Sequence, residues 1–166
     1  MESDTRWPEF FRREAAGIRA SLGSRALLIE HAGSTSVPGL IAKPVIDVIL
    51  AVADSRGEDD YLPALEAAGY LLHIREPHWY EHRMLRRRNR EPGSETNLHV
   101  FSFGCPEIDR MMLFRDWLRS DPADRDLYAR TKLALARQEW GRVQDYADAT
   151  AAVIEEIIAR SRRSTG

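Results

Sequence analysis

A single cysteine, Cys105, occurs in 166 residues. That scarcity excludes an intramolecular disulfide framework and a cysteine-built zinc site, and it suits a reducing compartment. Charge of one sign is also lacking: 24 basic and 26 acidic side chains leave a formal net charge of -2. No broad field is therefore offered to bulk nucleic acid or to a membrane surface, and any phosphate recognition has to be local. Apolar runs are short, none nearing the roughly 20 residues of a membrane span. The start "MESDTRWPEFF" has no basic segment leading into an apolar signal core, so a cytoplasmic location is expected. What the chain does have is 43% apolar residues over a length that suits one domain, 1–166, with a sizeable core.

Hydrophobic spacing sorts the chain into elements. Phe10, Phe11, Ala15, Ile18 and Leu22 recur at helical intervals before Gly23, predicting a helix over 6–22. "RALLIEHA" reads as a strand, "GSTSVPG" as a structured loop, and "KPVIDVILAV" as a strand with two mainly apolar faces, as in a sheet interior. "GEDDYLPALEAAGY" reads as a helix ended by Gly69. "WYEHRMLRR" and "NLHVFSF" flank the Pro-Gly turn signal of "NREPGSET" and suggest an antiparallel hairpin in a mixed sheet. From Pro106 the pattern is helical through "PEIDRMMLFRDWLRS", "PADRDLYARTKLALARQEW" and "VQDYADATAAVIEEIIARS", with breaks at Asp121-Pro122 and Gly141. Strand-rich residues about 24–104 followed by helical residues about 105–163 define an α+β fold. The stripe Met111, Phe114, Trp117 and Leu118 is assigned to helix packing.

One residue contradicts the apolar strand. Asp47 sits in "VIDVILAV", and an ionised carboxylate facing inward costs several kcal/mol unless it is paired, hydrogen-bonded or bound to a metal. Lys43, of the same parity, or an arginine is one partner; Mg²⁺, which takes carboxylate oxygens together with phosphates, is another. Just upstream, small residues in "GSTSVPG" let backbone N–H groups and serine hydroxyls approach an anion. The same residue types also make ordinary turns.

"EHAGSTSVPGLIAKPVIDVIL", "EHRMLRR", "NLHVFSFGCPE", "MLFRDWLRSDP" and "RVQDYADA" together resemble the GrpB family over most of the chain. The chain is also similar to the C-terminal extension of actinobacterial dephospho-CoA kinases, without the Gly-x-x-x-x-Gly-Lys-Ser/Thr phosphate loop, so CoA kinase activity is not inferred. The resemblance implies a nucleotidyltransferase-like mixed sheet with helices packed on it. It also implies a nucleoside triphosphate or other phosphorylated ligand at the loop Gly33, Ser34, Thr35 and Ser36, and Mg²⁺, or Mn²⁺ in its stead, at Asp47. The acceptor is not specified. A catalytically inactive nucleotide-binding or chaperone-like interaction module is the alternative.

Active members of that fold resemble one another in carrying two acidic residues two positions apart. Here the flanking same-face positions are Val45 and Ile49, which weakens a two-metal clamp. Glu81 and His99, both on expected strands, are the candidates to complete the metal site or to take the acceptor's proton; an ion pair for Glu81 and a structural hydrogen bond for His99 are the alternatives. Glu81, Arg83 and Leu85 share one strand face, while His82, Met84 and Arg86 share the other. Arg83 is expected to grip phosphate, and Arg86 opens the basic run "RRRNR", a solvated turn or a rim for polyphosphate. His31, just ahead of the loop, is ranked above His73, His78 and His82 and is expected to order the loop. Thr150 stands where the resemblance leads one to expect a lysine, and Cys105 is not proposed as a nucleophile.

Overall fold

A computed structural model describes residues 5–88, 95–137 and 143–165. The element order is α1 (Trp7–Leu22), β1 (Leu28–Ala32), β2 (Val45–Val52), α2 (Leu62–Ala67), β3 (Leu71–Glu76), β4 (His82–Arg88), β5 (Glu95–Ser102), α3 (Pro106–Ser120), α4 (Pro122–Ala136) and α5 (Val143–Thr165). Single turns of 3₁₀ helix occur at Gly23–Arg25, Ser34–Ser36 and Glu58–Asp60. The α+β class holds. The chain gathers into two compact units, Met1–Asp109 and Arg110–Gly166.

In the first unit the strands form one mixed sheet ordered β1-β2-β5-β4-β3, in which only β2 and β5 run parallel. Strand β2 has a neighbour on each side, which explains why both of its faces are largely apolar. Ile46, Val48 and Leu50 of β2, Leu98 and Val100 of β5 and Leu85 of β4 join Ile18 and Leu22 of α1 and Leu65 of α2 in one buried core. Side chains alternate along strands, so the opposite face carries Asp47 and Ile49, Asn97, His99 and Phe101, and His82, Met84 and Arg86. The functional question concerns that second face.

The helix-covered face holds a half-buried ion pair, its carboxylate inside and its guanidinium toward the surface. Glu14 of α1 accepts a hydrogen bond from the Tyr70 hydroxyl and lies 2.6 Å from Arg87 Nη1. Burial first, and the charge of Glu14 second, push the Tyr70 hydroxyl's pKa up, so it stays a donor at every working pH.

Three elements differ from the sequence expectation. Strand β3 has no counterpart in it, because its residues at this sheet edge are mostly exposed and do not alternate cleanly. The expected start of the next strand, Trp79 to Glu81, belongs instead to the turn before β4, where Tyr80 and Glu81 take φ of 57° and 50°. That left-handed backbone is held by the Glu81 carbonyl, which accepts from Ser55 Oγ at 2.8 Å and Arg83 Nη1 at 2.9 Å. The helix expected over "GEDDYLPALEAAGY" is divided into a 3₁₀ turn and α2, since Pro63 fits only the first turn of a helix. The turn signal "EPG" lies outside the described residues, although β4 and β5 do pair antiparallel.

Glu58 accepts two hydrogen bonds from Arg75 and one from Arg83, each 2.7 Å long. The Arg75 contact first, and then Arg83, hold its carboxyl at about 2, against burial, which raises it. Because the folded pKa lies below the unfolded one, this contribution is present above about pH 4.5 and is lost as pH falls toward 2. Its size is on the order of 2 kcal/mol after solvent screening. Between pH 7 and pH 3, urea unfolding of the parent should therefore show a larger loss than Glu58→Gln; equal losses would remove Glu58 from the acid response.

In the second unit Asp124 of α4 is the polar anchor. It receives Trp117 Nε1 at 2.7 Å and a two-pronged grip from Arg160, with Nη2 at 2.7 Å and Nε at 3.1 Å. Asp121 caps α4 by accepting from Asp124 N. Leu118 is buried, and Phe114 meets Tyr128 edge to face. No helix among the described residues is long and apolar enough to cross a membrane.

Candidate functional site

The loop after β1 is built around a glycine with no substitute. Gly33 has φ 69° and ψ -175°, and a Cβ placed on it would lie 2.3 Å from Asp47 Oδ2. The Gly33 backbone thus rests directly on the carboxylate of the neighbouring strand, where Ala32 and Asp47 are register partners. His31 and Thr35 brace the loop from beneath. The Thr35 hydroxyl donates to the Val45 carbonyl at 3.2 Å, so it must accept from His31 Nε2–H at 2.9 Å, which fixes the imidazole tautomer. The His31 ring also stacks on Phe11 of α1 at 4.8 Å.

This bracing reassigns two expected phosphate contacts. Thr35 and Ser36 are buried, and the Ser36 hydroxyl turns inward to the Gly33 carbonyl at 2.5 Å. The amides of Ser36 and Val37 are spent on the 3₁₀ turn. Of the four expected phosphate residues, Gly33 is exposed and Ser34 half-buried at the loop tip.

Asp47 has a histidine as its partner. His99 Nε2 lies 3.1 Å from Asp47 Oδ1. The imidazole continues from Nδ1 to His82 Nε2 at 3.1 Å, and His82 Nδ1 reaches Glu76 Oε1 at 2.8 Å. Carboxylate, imidazole, imidazole and carboxylate therefore run in a line across β2, β5, β4 and β3. Burial above all lowers the pKa of His82, against the raising effect of Glu76. Trp79 and Phe101 pack on the His82 ring at 5.0 and 4.9 Å.

Beside Asp47 a second row crosses the sheet. Asp47 pairs with Asn97, and Asn97 with Arg86. Asn97 Oδ1 is buried and, among the described residues, has no hydrogen-bond partner. Arg86 is exposed at the end of this row, and Lys43 is exposed just ahead of β2. The row thus presents acceptors at Asp47 and Asn97 and a cation at Arg86.

The composite metal site expected at Asp47, Glu81 and His99 is not assembled. Glu81 lies in the turn before β4, and its carboxylate is 3.1 Å from Arg83 Nη1. Arg83 itself is on the helix-covered face, paired with Glu58 and opposite Val100, so it does not meet a ligand held at Asp47. His99 gives its nitrogen to Asp47. Val45 and the fully buried Ile49 supply no second carboxylate, and no three of His, Cys, Asp and Glu converge among the described residues. These residues do not fit a two-metal clamp, and the side chain facing Asp47 is His99.

Comparison with known proteins follows the same outline. The GrpB protein family matches residues 1–160. The chain belongs to the GrpB family. It is 55% identical over 161 residues to a UPF0157 protein of Halalkalibacterium halodurans, covering 97% of this chain and 80% of that one. A UPF0157 protein of Streptomyces coelicolor is 46% identical, with 95% and 81% covered. A Mycobacterium tuberculosis dephospho-CoA kinase is 31% identical over 90% of this chain, which spans only 42% of that kinase. Among solved structures, the crystal structure of conserved protein GrpB from Enterococcus faecalis superposes with a TM-score of 0.82 at 30% identity, covering 99% and 98% of the two chains.

Within this GrpB-family chain, sequence reasoning missed His82, Glu76 and Asn97 as neighbours of the site. Parity alone places His82 and Arg86 on one face of β4, and that signal was available. Which face meets Asp47 depends on the β4–β5 register, which sets Arg83 against core Val100 and Met84 against His99.

Proposed function

We propose that this GrpB-family protein binds a nucleotide or another phosphorylated, hydroxyl-bearing small molecule on the Asp47 face of its sheet. The carrying observation is the buried Asn97 Oδ1, unpartnered among the described residues, between Asp47 and Arg86. An unmet buried acceptor costs about 1–3 kcal/mol, which a ligand donor offsets. Sugar hydroxyls suit Asp47 and Asn97. Phosphate suits Arg86, Lys43 and the outward tip at Gly33 and Ser34, and neither Arg86 nor Lys43 forms an ion pair among the described residues. The name of the mycobacterial relatives, dephospho-CoA kinase, supports a nucleotide-type ligand.

Binding is better supported than transfer, since a two-metal clamp lacks its carboxylates. Nucleotidyl transfer to a hydroxyl acceptor is the second reading, favoured by the Asp47–His99 contact, which suits proton removal from an acceptor. Pyrophosphate release across a panel of hydroxyl acceptors tests that step.

Thermal melts with nucleoside triphosphates, their nucleosides and inorganic phosphate, each with and without Mg²⁺, test the binding. A triphosphate near 100 times its Kd should stabilise the parent by about 2.7 kcal/mol. Asp47→Asn and Arg86→Ala should lose most of that gain. No shift with any nucleotide at millimolar concentration, or the full shift with Mg²⁺ alone, would overturn the proposal.

A further inference from the structure

The line from Asp47 to Glu76 has a proton count that does not close with neutral histidines. Its three contacts are Asp47 to His99, His99 to His82, and His82 to Glu76. Ionised carboxylates only accept, so each end requires an N–H on the imidazole it faces. With His99 Nε2–H and His82 Nδ1–H so placed, the central nitrogens, His99 Nδ1 and His82 Nε2, face one another as two lone pairs. One further proton closes the central link. The rings are disposed for it: their planes differ by only 20°, and their centroids, 5.3 Å apart, exceed the N···N distance by about two ring radii, so they meet edge to edge.

We propose that Asp47, His99, His82 and Glu76 form one proton relay that takes up a single proton as a unit and connects the Asp47 face of the sheet to solvent at Glu76. Along it the side chains are 27% exposed at Asp47, 21% at His99, 5% at His82 and 44% at Glu76, so the line is driest at His82 and most open at Glu76. In one transfer a proton arrives at Glu76, whose protonated carboxyl then donates to a bare His82 Nδ1 while the His82 proton sits on Nε2, and the carboxyl proton passes to Nδ1. The His82 Nε2 proton moves to His99 Nδ1, and the His99 Nε2 proton moves to Asp47 Oδ1. One proton enters and one is delivered, and each ring keeps its proton count while changing tautomer.

The charged groups around the pair favour a shared proton. Asp47 of β2 and Glu76 of β3 attract it from either end, and Glu30 of β1 lies on the same face, opposite Ile49. Arg86 on that face and Arg83 beneath β4 oppose it. Trp79 and Phe101 shield His82 from water. Burial lowers the affinity of His82 for the proton. The use of the relay in ligand chemistry rests on the proposed function; the shared proton does not.

Imidazole ¹⁵N titration of the ligand-free full chain tests it, with exposed His73 and His78 as internal references. His82 and His99 should follow one common curve with one proton between them. Glu76→Gln and Asp47→Asn, each removing one terminal charge, should each lower the proton affinity of both imidazoles, about tenfold at the nearer ring. In a His82→Gln background, Glu76→Gln should leave His99 unmoved, which separates a hydrogen-bonded relay from a field acting through space. Unchanged reference titrations and amide spectra show that each variant is folded. Two independent protons, Glu76→Gln moving His82 alone, or a His99 response that survives His82→Gln would overturn the relay. Because no ligand is present, a failed nucleotide melt does not affect this outcome, nor does this outcome decide the melt.

Discussion

Replacing Gly33 by alanine should destabilise the protein by about 2–5 kcal/mol and lower its melting temperature by about 5–15 °C. Two costs combine. The backbone at φ 69° and ψ -175° lies in a region that side chains other than glycine's hydrogen enter at about 1–3 kcal/mol. The new Cβ would also lie 2.3 Å from Asp47 Oδ2 and 3.0 Å from Cγ, an overlap that forces the carboxylate off His99 or the loop off the sheet, for about another 1–3 kcal/mol. The second cost has a signature that the first lacks. In the double variant Gly33→Ala/Asp47→Ala the clash is gone, so the pair should be less destabilised than the sum of the single changes, by about 1–3 kcal/mol. Additive unfolding free energies from urea titration would mean that the Gly33–Asp47 contact is not what demands glycine.

Arg87→Met should cost about 3 kcal/mol, although Arg87 sits near the sheet's surface with its side chain 36% exposed. The cost arises at its partner. Glu14 is buried at 8% exposure, and removing the guanidinium leaves its carboxylate, among the described residues, with Tyr70 as its hydrogen-bond donor. Breaking one side of a buried pair is expensive because the other charge is stranded, whereas replacing both sides with apolar groups of similar volume is often neutral. Glu14→Leu/Arg87→Met should therefore recover most of the loss. A double variant as unstable as Arg87→Met alone, measured by chemical denaturation, would show that Arg87 acts through packing on the Tyr70 ring, over which it lies at 5.9 Å, rather than through charge.

The comparison of sequence with structure divides along a physical line. Helix α1 was legible because Phe10, Phe11, Ala15, Ile18 and Leu22 repeat at the helix period and Gly23 ends them, with φ 56° in the fold. Strand β2 was legible as interior because both of its faces are apolar. The importance of Asp47 was legible for the converse reason, as a charge that burial would penalise. Strand β3 was not legible, because an exposed edge strand lacks the alternation that burial imposes on the others. The turn at 77–81 was hidden too: Tyr80 and Glu81 are not residues that announce a left-handed backbone, and one of the groups that hold it, Ser55, is distant in sequence.

The amino-acid sequence by itself determined the α+β class, the structured loop at "GSTSVPG", and the demand of Asp47 for a partner. It determined these because helix period, strand alternation, turn chemistry and the cost of burying charge act over a few neighbouring residues. Tertiary structure alone decided who the partner is. Parallel pairing of β2 with β5 brings His99 to Asp47, the β4–β5 register brings His82 to His99, and β3 supplies Glu76. The same register turned Arg83 and Glu81 away. A shift of one residue in that pairing would exchange the two faces of β4, so the relay rests on long-range register, which no local pattern encodes.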